Sequence, residues 1–89
     1  MGLRQTFKFK YKDIDEVISF IKNFSETYQV ENRNGLYIIK NNDSDNFIFD
    51  VFIEPYGLCT ERAGEYFEFL GVFVETLTGN FGAVVIEDI

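Results

Sequence analysis

Carboxylates are the groups of this chain best able to do chemistry. Their densest run is "TERAGEYFEFLGVFVETLTGNFG", residues 60–82, where Glu61, Glu65, Glu68 and Glu75 stand against one basic residue. At the helical 100° per residue, a helix capped by Thr60 puts these four on nearly one side. A core stripe of Ala63, Phe67, Leu70, Val74 and Leu77 lies opposite. Val72 sits within the acidic line, Gly64 and Gly71 share one flank, and Tyr66, Phe69 and Phe73 lie towards the other. The line is about 20 Å long at 1.5 Å per residue. Like charges at this spacing weaken a helix by about 0.2–0.5 kcal/mol per pair. A docking surface for a cationic partner is one explanation, and an ordinary solvated helix face is an equally weighted one.

Other catalytic constellations are missing from the sequence. There is no histidine, which removes the usual general base, the Ser-His-Asp and Cys-His arrangements and most zinc sites. Cys59 is the only cysteine; ahead of a helix it could be reactive, but a small buried hydrophobe is the commoner role. In "NNDSDN", Asp43 and Asp45 are spaced like the start of a calcium loop, but Asn46 replaces the turn glycine and Phe52 the bidentate glutamate. "GNFG", residues 79–82, fits the bare Gly-x-x-Gly pattern of RNA-binding KH domains, though in the acidic half of the chain, where phosphate is repelled. Neither a phosphate loop nor a nucleophile elbow occurs. No enzyme, metal or cofactor is therefore expected.

The elements that must position these groups follow from periodicity. "TFKFKYK", residues 6–12, alternates as a strand with Phe7, Phe9 and Tyr11 on one side and Lys8, Lys10 and Lys12 on the other. Solvation and edge protection account for the lysines better than phosphate binding does. Asp13 and Glu16 open a first helix whose apolar face is Ile14, Val17, Ile18 and Ile21, with Phe20 and Phe24. Residues 28–40 form a hairpin about Asn34 and Gly35. Residues 47–54 form a strand whose second face, Ile48, Asp50, Phe52 and Glu54, is neither clean core nor clean surface. Gly79 is the expected stop of the second helix, and "AVVIEDI" is a last strand, apolar enough to be central. The predicted order is β-α-β-β-β-α-β. This is an α+β two-layer sandwich with a mainly antiparallel five-stranded sheet, two helices on one face and ferredoxin-like character, spanning residues 1–89 as one domain.

Composition restricts the partners. The net charge of -7 opposes sequence-independent binding to nucleic acid or to anionic membrane. Residues 1–40 carry seven basic and five acidic residues, a sum of +2, while residues 41–89 carry one basic and ten acidic, a sum of -9. No stretch approaches a membrane span, and one cysteine without disulfide partners suits a cytoplasmic location. "MGLRQT" meets a myristoylation pattern by chance, and the sequons at Asn23 and Asn42 have no meaning without secretion.

The ending "GNFGAVVIEDI", residues 79–89, resembles the C-terminal end of the seventh immunity-protein family of bacterial polymorphic toxin systems, in which a Gly, an aromatic and another Gly precede a strand closing in an acidic pair. The resemblance implies a cytosolic protein that binds and silences a toxin domain, with Phe81, Glu87 and Asp88 in the matching segment. The leading expectation is thus an inhibitor of a basic toxin of nuclease type. Its contacts are Glu61, Glu65, Glu68, Val72 and Glu75, extended by Asp50, Phe52 and Glu54 if that strand face is exposed, and by Phe81, Glu87 and Asp88. The alternative is a small regulatory or ligand-binding module that dimerises through sheet edges or the Gly64 and Gly71 flank.

Overall fold

Period-two alternation, more than helix propensity, organises this chain. The computed structural model describes residues 3–41 and 46–88; Asn42, Asp43 and Asp45, named above, lie outside them, as do the first two residues of "MGLRQT". The elements are β1 (Leu3–Lys8), α1 (Ile14–Asn23), a 3-10 turn (Phe24–Glu26), β2 (Gln29–Arg33), β3 (Leu36–Lys40), β4 (Phe47–Glu54), β5 (Gly57–Gly64), α2 (Phe67–Phe81) and β6 (Val85–Asp88). Six strands form one sheet in the order β2-β3-β4-β5-β1-β6, every neighbouring pair antiparallel. Both helices pack on one face, giving an α+β arrangement of two layers.

β5 is a sixth strand where the sequence predicts the start of a helix. Pro55 and Tyr56 turn the chain tightly, and "GLCTERAG" then runs back along β4 over eight residues, from Glu54 opposite Gly57 to Phe47 opposite Gly64. Leu58, Thr60 and Arg62 face the helices, while Cys59, Glu61 and Ala63 face away. Thr60, expected as an N-cap, is buried mid-strand, where its hydroxyl donates to the Gln5 carbonyl at 3.4 Å. Eight paired residues and a buried Leu58 outweigh the modest helix propensity of Glu61, Arg62 and Ala63. Gly64 has φ +85°, and a Cβ there would stand 2.3 Å from the Asn46 carbonyl oxygen. Its close neighbour is therefore the β4 entry, and no glycine flank of Gly64 and Gly71 exists on α2.

The other differences also have physical causes. β1 starts before Thr6 and stops at Lys8 because its partner β5 begins at Gly57, the residue opposite Lys8. Residues 9–12 keep the alternation, with Phe9 buried, Tyr11 half-buried and Lys10 and Lys12 exposed. α2 starts after Tyr66 and runs two residues beyond Gly79, ending where the Gly82 N–H bonds the Thr78 carbonyl. Its buried arc is Phe69, Phe73 and Leu77, leaving Phe67 74% exposed instead of in the core. The arc follows the rings: Phe69 lies 5.3 Å from Phe47 and 5.0 Å from Phe49, and Phe73 lies 4.8 Å from Phe49 and 5.6 Å from Phe7. Each such buried side chain is worth about 1.5–3 kcal/mol, and an aromatic pair about 0.5–1.5 more.

Two predicted elements appear as read. Asp13 caps α1, its carboxylate accepting from the Asp15 N–H at 3.0 Å, and Val17, Phe20 and Ile21 are buried, although Ile14 at the first turn is exposed. The β2–β3 hairpin turns at Asn34 and Gly35 with φ of 52° and 93°. β6, expected to be central, is an outer strand with every residue exposed. Its apolar residues reflect pairing beside β1, not depth.

Candidate functional site

Four separate places hold the residues that the sequence groups into one surface. Asp50, Phe52, Glu54, Glu61 and Glu87 share the sheet face that no helix covers. There Glu31, Ile38, Asp50, Glu61 and Arg4 form one row across the strands, and Arg33, Leu36, Phe52, Cys59, Thr6 and Glu87 form the next. Glu65 lies in the turn before α2, while Glu68, Val72 and Glu75 are exposed or half-exposed along the helix. Phe81 packs inward, 4.7 Å from Phe9 and 5.8 Å from Phe20. Its accessible side lines a cavity with Lys8, Lys10 and Tyr56, a setting unsuited to a cationic partner. Asp88 lies on the outer strand, accepting from the Gln5 amide.

Glu61 is thus removed from the helical line, because its strand turns it to the opposite layer. The uncovered sheet face is also close to electrically balanced. Arg4 donates to Glu61 at 2.8 Å, Lys8 pairs with Glu87, and Arg33 pairs with Glu31 at 3.2 Å. The Glu61 hydrogen bond and charge raise the pKa of Arg4, and those of Glu87 raise that of Lys8. The basic amino-terminal strand therefore neutralises acidic residues of the carboxy-terminal half, and no continuous acidic surface extends from α2 to this face.

Among the described residues Glu54 and Asp50 have no ion-pair partner on this face, and of the two Asp50 has the more unusual setting. One of its carboxylate oxygens is buried with no hydrogen-bond partner among the described residues. Burial first, and then the charge of Glu61 opposite, push its pKa up; Lys40 partly offsets them. Around it Ile48 and Phe52 are exposed and Ile38 is buried, so this face has an apolar centre with a paired, charged rim.

α2 carries further uncompensated charge. Among the described residues Glu65, Glu68 and Glu75 have no ion-pair partner, and the exposed Phe67 and Val72 lie beside them. Glu65 and Glu68 also rim a cleft of about 390 Å³ with Asn41 and Asn46, floored by Tyr28, Phe47 and Phe69.

Arg62 accounts for the contrast, and the sequence alone did not reveal it. It is the one basic residue of residues 41–89, yet it is 3% exposed, its guanidinium 4.8 Å from the Tyr66 ring centroid and 5.8 Å from that of Phe49. Its Nε and Nη1 have no hydrogen-bond partner among the described residues. The signal was present in the alternation Leu58, Thr60, Arg62, legible only once that segment is read as a strand. With this cation inside, the exposed carboxylates of α2 have no positive neighbour from their own half of the chain.

Among the described residues no three metal-ligating side chains gather, and no helix is long and apolar enough to cross a membrane. Compared with known proteins, the chain matches no family model, no curated protein and no solved structure.

Proposed function

We propose that the protein is a non-catalytic inhibitor of the immunity-protein kind, which binds and silences a basic toxin of nuclease type in the cytoplasm. The docking surface is the outer side of α2: Glu65, Glu68 and Glu75 for charge, Phe67 and Val72 for apolar contact. One observation carries the reading: among the described residues these carboxylates have no ion-pair partner, whereas Glu31, Glu61 and Glu87 already hold a cation. Unpaired charge steers association and apolar neighbours supply affinity, a division of labour common at protein interfaces. The resemblance of residues 79–89 to the seventh immunity-protein family supports the class of partner.

The test is the rate of association with the basic protein that co-purifies from the native cell. The triple variant Glu65→Lys, Glu68→Lys, Glu75→Lys changes only exposed or turn positions and is expected to fold. Its association slows roughly tenfold or more at low salt and recovers part of the difference at high salt. An unchanged rate in the folded variant excludes this surface.

A second reading, a regulatory homodimer of ferredoxin-like character, draws support from the uncovered sheet face. Two like-charged copies could meet there because most of its charges are internally paired and Ile48 and Phe52 are exposed. The placement of β1 between β5 and β6, with a helix after β1 and another before β6, is compatible with a ferredoxin-like plan lengthened by a hairpin. Sedimentation of the pure chain separates the readings: a stable dimer that takes up no basic protein supports the second.

A further inference from the structure

The two outer strands of the sheet are protected very differently. β2, "QVENR", is polar and has the Arg33–Glu31 ion pair on its uncovered face. β6, "VIED", has no lysine, no proline and a one-to-one register with β1 free of any bulge, and among the described residues no strand lies beyond it. Val85 and Ile86 are 58% and 43% exposed and point to opposite sheet faces, as period-two geometry requires. Alternate residues of an outer strand direct their N–H and C=O groups away from the sheet, where another strand can bind them.

We propose that β6 receives an extended, basic segment of the partner as a seventh strand. The added strand covers Val85 on one face and Ile86 on the other, and its lysine or arginine side chains lie beside Asp88, whose only partner among the described residues is the uncharged Gln5 amide. Main-chain hydrogen bonds supply affinity and the alternating side chains supply selectivity. A second copy of this chain fits the edge poorly. In an antiparallel pairing that continues the sheet with both helical layers on one side, opposed residues must share a face. Only registers centred on a residue then satisfy the geometry. Centring on Glu87 opposes it to its own copy, centring on Ile86 leaves Asp88 outside β6′, and both bring together chains of charge -7. A cationic strand meets none of these obstacles.

The proposal depends on the reading of the partner as basic, and it is tested separately from α2. The probe is a synthetic peptide alternating lysine and valine, added at millimolar concentration to the isotope-labelled full chain, with its glutamate–valine counterpart as control. The lysine peptide is expected to shift and protect the amides of residues 85–88, with the glutamate peptide roughly tenfold weaker. The variant Val85→Lys, Ile86→Lys changes only exposed side chains and is expected to abolish the effect, because lysines on an edge strand disfavour pairing. Shifts confined to α2 or β2, no shift at all, or equal binding of both peptides would overturn the proposal, as would protection of residues 85–88 that rises with protein concentration in the absence of peptide. The α2 triple variant should keep the β6 response, so failure of the edge and failure of the α2 surface are distinguishable.

Discussion

Asp50 and Glu61 stand directly opposite each other on β4 and β5, two carboxylates on one face of one sheet. Of the two, only Glu61 has an ion-pair partner among the described residues, Arg4. Asp50 keeps a buried, unbonded oxygen, and its raised pKa means that the folded chain binds a proton more readily than the unfolded one. The linkage sign follows: the penalty is complete at neutral pH and is relieved as pH falls through the raised value towards the ordinary 3.8. Asp50→Asn is therefore expected to stabilise the fold at pH 7 and to flatten the pH dependence that the raised pKa produces. Urea unfolding of both proteins across pH 4–7 measures it. A destabilised variant at pH 7 would contradict the assignment.

Arg62 supports a second expectation. A buried guanidinium that lies against two rings, with Nε and Nη1 unbonded among the described residues, carries a desolvation cost that cation–π contact only partly offsets. Replacing it with methionine, of similar length and without charge, should leave stability unchanged or raise it by about 1–2 kcal/mol. Thermal unfolding reads the change; a loss above about 2 kcal/mol would mean that the charge has a strong partner.

Gly64 and Gly71 should respond in opposite directions to alanine. At Gly64 the positive φ and the Asn46 carbonyl 2.3 Å from the new Cβ make the substitution costly, by about 2 kcal/mol or more. At Gly71, on an open side of α2, a Cβ meets nothing within 4 Å, and alanine should stabilise by about 0.5–1 kcal/mol. Equal effects would return Gly64 to the helix.

Phe73 and Phe67 give the matching test of how α2 is rotated. Phe73→Ala is expected to cost about 3–5 kcal/mol, because the ring is fully buried against Phe7, Phe20 and Phe49. Phe67→Ser should change stability by less than about 0.5 kcal/mol while weakening partner binding. Calorimetry and binding on the same two variants decide it.

The local signals were readable where one element decides its own form. The Asp13 cap, the Asn34–Gly35 turn and all eight residues of β4 need only local chemistry. Residues 57–64 were not readable in this way, since Glu61, Arg62 and Ala63 favour a helix until β4 and β1 are available on either side. That one reassignment accounts for the sixth strand, the transfer of Glu61 to the other layer and the burial of Arg62. The candidate surface was legible in part: Glu68, Val72 and Glu75 follow from helical periodicity. The pairing of Glu61 with Arg4 and of Glu87 with Lys8 depends on strand order, which no local pattern encodes.

The position of β1 between β5 and β6 bears on how the chain matures during synthesis. β1 needs neighbours made well after it, residues 57–64 and then 85–88. The meander of β2 to β5 can zip together while translation continues, but Phe7 has no lasting shelter until α2 and β6 have emerged. Such distant pairings slow closure and leave the aromatic side of the meander open meanwhile. A nascent chain of this design has reason to engage a chaperone, and its release should coincide with the arrival of the final strand.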